Sequence, residues 1–313
     1  MRALSASAEG DAGVAQPPGL TVPATMSQET GKPAPSGFLD SRLQAIQGIV
    51  RTTYEHPSIV SRYTTVGLWP AEEILVLDYV PEGARVLDLG CGAGRTAVAL
   101  AEMGLDVVGI DTSASMVEAA REQARLAGVS VSFQVMDAMV LDFPDASFDV
   151  AFYSYNGIEL LPGRRGKLLM FESVARVLKP EGRLIFSSHS PFAANAYAAT
   201  RLLAFLKLCA GRLFGVPVRE RELGERFVDA DWEEAKYLQI LPPSVLKRMA
   251  AANGLETVYF NTRLRIESGR DFGFVGHFED GERFYVCQAA VLEKSEDRTD
   301  SADKNQETTS LRL

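Results

Sequence analysis

The stretch that decides the fold is Ala84-Arg85-Val86-Leu87-Asp88-Leu89-Gly90-Cys91-Gly92-Ala93-Gly94-Arg95-Thr96-Ala97-Val98-Ala99-Leu100. Val86 to Leu89 is an apolar run of the kind that a strand buried on both faces needs. Glycines follow at alternate positions, and from Thr96 to Met103 apolar residues recur at helical spacing. The stretch reads as strand, tight glycine turn, helix. Glycine in such a turn supplies positive φ and lets the backbone approach a ligand closely. The helix start leaves free N–H groups that favour a carboxylate or phosphate. The turn alone does not say which ligand it holds.

The pattern repeats downstream. Asp106 to Asp111 is a second buried strand ending in an acid, and Thr112-Ser113 can cap the next helix, from about Ala114 to Ala127, which Gly128 closes. Val131 to Met136 is a third strand leading to Asp137-Ala138. Phe148 to Tyr153 is a fourth, leading into Ser154-Tyr155-Asn156-Gly157. A helix from about Arg164 to Leu178 is broken by Lys179-Pro180-Glu181-Gly182, before a fifth strand from Arg183 to Ser188 with His189 at its end. Pro243 to Ala252 is a further helix. Thr257 to Phe260 and Phe284 to Leu292 are the sixth and seventh strands. Strands alternating with helices imply parallel βαβ units, an α/β protein. Ligands of such sheets bind at the carboxyl ends of the strands. The glycines, Asp111, Asp137, Tyr155, Asn156 and His189 all fall there.

The flanks are of other kinds. Residues 1–36 are rich in Ala, Gly, Pro, Ser and Thr without an apolar period and read as disordered, with Met26 an alternative start. The polar tail, 294–313, reads the same way. Residues 37–80 form helices leading into a domain spanning 37–293. Leu43, Ile46, Ile49 and Val50 share one helix face, Pro57 interrupts, and a helix from Ala71 to Tyr79 follows Pro70. The aromatics Tyr63 and Trp69, in the loop before it, are read as packing, with roofing of the cleft the sharper alternative. Residues 191–240 are an insertion forming part of a substrate cap. It contains an apolar helix, Leu202 to Cys209, broken up by Lys207 and Arg212. Packing on the sheet is its plain reading, and a greasy acceptor or a membrane surface the sharper one. A Gly- and Phe-rich connection over about 262–282, including Phe272 to Phe278, is long for a hairpin and suggests a functional loop.

Composition bounds the partners. The chain has 313 residues, 46% of them hydrophobic, a net charge of −9 and a pI near 5.1. That argues against nucleic acid, whose partners carry a basic footprint, without excluding a local basic patch. Cys91, Cys209 and Cys287 are far apart, which suggests a reducing compartment and no metal cluster. No segment reaches the roughly 20 apolar residues of a membrane span. The N-terminus lacks the apolar core of a secretory signal, so a cytoplasmic protein is expected. His56 and His277 receive no role.

The dinucleotide fingerprint G-x-G-x-x-G would need glycine where Arg95 stands, which argues against a nicotinamide dehydrogenase. The phosphate-loop pattern is absent too. Asp111 follows Gly90 at about the 20-residue distance of an acid that holds a ribose.

The set Val86-Leu87-Asp88-Leu89-Gly90-Cys91-Gly92-Ala93-Gly94, Val108-Gly109-Ile110-Asp111, Asp137-Ala138, Phe148-Asp149-Val150 and Leu178-Lys179-Pro180-Glu181-Gly182 resembles the class I S-adenosylmethionine-dependent methyltransferases. The likeness covers roughly residues 60 to 293 and is nearest to the quinone-biosynthesis and natural-product branch. It implies a seven-stranded, mostly parallel sheet of order 3-2-1-4-5-7-6, the last strand antiparallel, with helices on both faces. It implies S-adenosyl-L-methionine as cofactor, held by Leu89, Gly90, Cys91 and Gly92 around its methionine part and by Asp111 on the ribose hydroxyls. Thr112 and Met116 lie nearby, Asp137 and Ala138 take the adenine, and Tyr155 and Asn156 sit towards the acceptor. The reaction implied is in-line methyl transfer to an O, C or N atom of a small organic molecule, without a metal, by holding the reactants about 3–3.5 Å apart in a dry site. His189 or Tyr155 could remove a proton. The fourth strand lacks the Asn/Asp-Pro-Pro-Tyr motif associated with amino groups of bases, which also speaks against nucleic acid. A non-catalytic cofactor-binding or partner-binding protein on this fold is the alternative.

Overall fold

A computed structural model describes residues 40–65, 67–215, 217–228, 236–270, 273, 278–279 and 281–290. The expectations for 1–36, Met26, 294–313, His277 and most of the Phe272 to Phe278 run lie outside these residues.

The described chain enters through α1 (Ser41–Tyr54), α2 (Pro57–Val60) and α3 (Pro70–Tyr79). Asp40 caps α1 by accepting from the N–H groups of Arg42 and Leu43, both at 2.9 Å. Leu43 and Ile46 face inward as their spacing predicts, and the break falls before Pro57. Next come β1 (Arg85–Leu89), α4 (Arg95–Glu102), β2 (Asp106–Asp111), α5 (Ala114–Ala127), β3 (Ser132–Val135), β4 (Phe148–Tyr153), α6 (Gly163–Val177) and β5 (Leu178–His189). The helix spacing and caps were legible here: Ser113 accepts from the Met116 N–H at 3.2 Å, and Gly128 ends α5 in the left-handed region.

The sheet runs β3-β2-β1-β4-β5 in parallel, then continues through β9 (Glu282–Ala289) to β8 (Leu255–Thr262). β9 is antiparallel to both its neighbours. In strand-count terms this is 3-2-1-4-5-7-6, as the resemblance implied. One apolar layer, with Leu87, Leu169, Phe171 and Phe186, lies under α6 and α8 (Pro243–Ala251). The other, with Val86, Val98, Val117 and Phe152, lies under α3, α4 and α5. Each such fully buried side chain contributes about 1.5–3 kcal/mol, and the Phe186 and Tyr285 rings stack at 4.4 Å.

Three local expectations are corrected. The Lys179-to-Gly182 break lies within β5: the strand starts at Leu178 directly after α6, and Glu181 takes φ 64° where its register with β4 shifts. The apolar helix of the insertion is not broken up; α7 runs continuously from Ala198 to Phe214, because Lys207 and Arg212 are good helix formers. The connection after β8 begins with a short helix, α9 (Arg263–Ser268), which Thr262 caps and Gly269 closes. The insertion also contains a hairpin, β6 (Glu225–Phe227) against β7 (Tyr237–Gln239). Arg42 of α1 holds it through Glu225 at 2.8 Å. Gln239 accepts from the buried Lys167 Nζ at 3.1 Å, and burial pushes that ammonium down to about 7.

Candidate functional site

The glycine turn leaves β1 at the centre of the sheet. The Cys91 N–H donates to the Ile110 carbonyl at 2.9 Å, so the turn begins as a last rung between β1 and β2. Gly90 has φ 62°, and a Cβ there would lie 2.9 Å from the Tyr153 ring. Gly92 has φ 53° and nothing within 4 Å of where its Cβ would stand, so its backbone lies bare. Its N–H donates to Asp111 Oδ2 at 3.0 Å. The Cys91 side chain instead packs beneath the sheet beside Gly109, which leaves only its backbone for a ligand. Leu89 is fully buried.

Asp111 ends β2 with its other oxygen accepting from the Ser113 N–H at 2.8 Å. Burial raises its carboxyl, against the pull of the Ser113, Gly92 and Thr112 N–H groups. Its carbonyl accepts from the Met136 N–H at 3.0 Å, so Asp137 follows at the adjoining strand end. Asp137 accepts from the Met139 N–H at 2.9 Å and from the Gln47 amide of α1. Burial raises its carboxyl as well. Ala138 is buried beside it, and Met116 is enclosed in the first turn of α5.

Tyr153 and Tyr155, two residues apart, would share a face of an extended strand, but β4 ends at Tyr153 and Tyr155 takes a left-handed backbone, so the two divide. Tyr153 is buried under Gly90 and Gly157, and burial pushes its hydroxyl up. Tyr155 is 48% exposed, at φ 54°, and packs on Trp69 at 4.9 Å and Tyr63 at 5.8 Å. These aromatics from the N-terminal helices therefore gather at the end of β4. Asn156, at φ 59°, donates its N–H to Ser187 Oγ at 3.0 Å. Its buried Oδ1 has no hydrogen-bond partner.

His189 stands two residues beyond Ser187 and so on the same face of β5. A short 3₁₀ turn, Gly157–Leu160, follows Asn156 and carries Glu159. The Glu159 carboxylate accepts the His189 backbone N–H at 2.5 Å and faces Nδ1 at 3.1 and 3.2 Å.

Four polar residues had escaped the sequence reading. Asp88 is buried, with neither oxygen in a well-formed hydrogen bond, and burial pushes it up to about 8 despite the nearby Arg95. Its signal was an acid inside an apolar strand. Glu72 is fully buried. It accepts from Arg95 at 2.9 Å, from Ser154 Oγ at 2.5 Å and from the Trp69 N–H at 2.8 Å. Its signal was a glutamate at the third position of α3, where capping boxes place one. Arg95 also donates to the Gly67 carbonyl at 2.6 Å and lies over Trp69 and Tyr155. The residue in the dinucleotide glycine's place thus fastens the N-terminal helices to the turn. Glu159 and Gln47 gave no local signal, because their partners are 30 and 90 residues away.

Taken together, this is an open α/β sheet with acceptors at two neighbouring strand ends, a bare glycine backbone between β1 and α4, and an orphaned amide oxygen beyond β4. A nucleoside-bearing ligand with a charged amino-acid end fits such a donor and acceptor set. Residues 86–182, about a third of the chain, match the family described as methyltransferase domain. The 2-methyl-6-phytyl-1,4-hydroquinone methyltransferase of Synechocystis is 40% identical over 110 residues, 35% of this chain and 33% of that protein. The O-methyltransferase cnsE of Penicillium expansum is 35% identical over 152 residues, 47% of this chain and 54% of that protein. The matching stretch thus spans about a third to a half of these relatives. A SAM-dependent methyltransferase from Methanosarcina mazei shares the fold, with TM-score 0.55 at 21% identity over 72% of this chain and all of that one. Residues 86–182 thus carry a likeness to methyltransferase domains, within a fold that a SAM-dependent methyltransferase shares.

Proposed function

We propose that this protein transfers a methyl group from S-adenosylmethionine to a small organic acceptor. The observation that carries the reading is the pairing of Asp111 and Asp137 at adjoining strand ends beside the bare Gly92 backbone. Asp111 would accept from the ribose hydroxyls, with Thr112 and Met116 beside it, and Asp137 with Ala138 would take the adenine edge. Leu89 to Gly92 would offer backbone to the methionine part, and Asn156 Oδ1 is a free acceptor nearby. The cofactor supplies an already activated methyl on a sulfonium.

The chain's own contribution is positioning, exclusion of water and proton handling. Tyr155, Trp69 and Tyr63 form an aromatic wall at the end of β4, where an acceptor ring could lie. For an acceptor that must lose a proton, His189 is the base. Glu159 faces Nδ1 and would orient the ring and stabilise the imidazolium once the proton arrives. An oxygen or carbon acceptor needs that step; a neutral amine does not.

Calorimetry with S-adenosylhomocysteine tests the site. Asp111→Ala should weaken binding by about 1.5–3 kcal/mol through loss of charged hydrogen bonds, and unchanged affinity removes Asp111 from the site. Labelled methyl from S-adenosylmethionine should appear in a small-molecule product. No product from broad extracts, despite tight cofactor binding, would overturn the transfer reading.

A further inference from the structure

The helix α7 is built the wrong way round for a surface helix. A helix of a globular protein turns its apolar stripe to the core. In α7 only Leu208 is buried. At about 100° per residue, Leu202, Leu203, Leu206, Leu213 and Phe214 share one sector about 120° wide. These five are between 51% and 79% exposed. The side turned to the protein carries Ala204, Leu208 and Gly211, mostly small residues. Lys207 and Arg212 are both exposed; Lys207 stands at one edge of the apolar sector, and Arg212, beyond the other edge and nearer the inward side, also donates to the Arg221 carbonyl at 3.1 Å.

Charge around the helix is segregated too. From Ser190 to Arg219 the chain has Arg201, Lys207, Arg212 and Arg219 and no acid, although its net charge is −9. Phe192 and Tyr197, which lead into the helix, are also more than half exposed. An apolar face rimmed by cations, with aromatics at its edge, is the make-up of a helix lying in a membrane interface.

We propose that α7 docks the protein on an anionic lipid surface. The helix lies in the plane of the headgroups, its Leu and Phe side chains enter the acyl boundary, and Lys207 and Arg212 meet lipid phosphates. No helix among the described residues is long and apolar enough to cross a membrane, so the attachment is peripheral. The charge selects this occupant over a second copy of the chain. Pairing two α7 faces would set their cationic rims against each other, whereas an acidic bilayer neutralises them.

The test is co-sedimentation of the full chain with phosphatidylcholine vesicles, with and without phosphatidylglycerol. The anionic vesicles should bind at least about tenfold more protein, and the difference should shrink at high salt. Leu206→Glu with Phe214→Glu should abolish binding while leaving the melting temperature of the free protein unchanged. Lys207→Ala with Arg212→Ala, which keeps the apolar face whole, should weaken binding several-fold. That pair carries the test if the glutamate variant fails to fold. Equal binding to both vesicle types, no binding to either, or a dimer in sedimentation equilibrium that Leu206→Glu dissociates would each overturn the proposal.

Discussion

Helices α5 and α7 are both long, amphipathic and rich in apolar residues, yet they use them in opposite ways. α5 buries Met116, Val117, Ala120 and Ala124 against the sheet and turns its charged residues outward. α7 buries only Leu208 and shows its leucines to solvent. The difference is one of neighbours, not of helix chemistry. α5 connects two parallel strands, so its crossover must pack back on the sheet. α7 lies between β5 and α8, where the chain adds no strand to the seven-stranded sheet. Its inward side needs only small residues, and nothing in the described chain asks for its leucines.

A charge placed on each helix measures this contrast. Val117→Asp should have the largest effect of all, about 4 kcal/mol or more, because it buries an unpaired carboxylate in the sheet's packing layer. A urea midpoint close to that of the parent would show that α5 is not anchored as described.

The next effect concerns the polar join between the two parts of the site. Arg95→Leu leaves Glu72 fully buried without its cation, which should cost about 3–5 kcal/mol. It should also loosen Gly67 to Trp69 from the turn, visible as a change in Trp fluorescence. A stable variant with the parent's emission would mean that Arg95 does not fasten the N-terminal helices.

Asp88 gives an effect of a different kind, one that depends on pH. The folded chain keeps its proton up to about pH 8, whereas the unfolded chain releases it near pH 4. The folded state therefore binds more protons between those values, and stability falls as pH rises through the window, by at most about 1.4 kcal/mol per pH unit. Asp88→Asn should flatten that slope in urea melts at pH 5 and pH 8. An identical slope in the variant would mean that Asp88 is ionised throughout.

Leu206→Glu on α7 should be the smallest, within about 0.5 kcal/mol in the absence of vesicles, as for exposed positions generally. A cost near that of Val117→Asp would erase the difference between the two helices.

What the sequence determined by itself follows from local rules. Strands and helices between Val86 and His189 were readable because apolar periodicity, Ser113 and Gly128 at the ends of α5, and the glycines after β1 act within a few residues. The resemblance to a known family supplied the strand order and the ligand. Because such a fold gathers its strand ends at one edge, Asp111, Asp137, Asn156 and His189 group together from the sequence alone. The tertiary structure alone decided the partners. Glu72 clasps Arg95, Gln47 reaches Asp137, and Glu159 turns His189, each across a separation that no local pattern encodes. It also decided which tyrosine is floor and which is exposed, that Asp88 holds its proton, and that α7 turns outward. All of these depend on how far water is excluded and on which distant segment arrives, and both are properties of the packed chain.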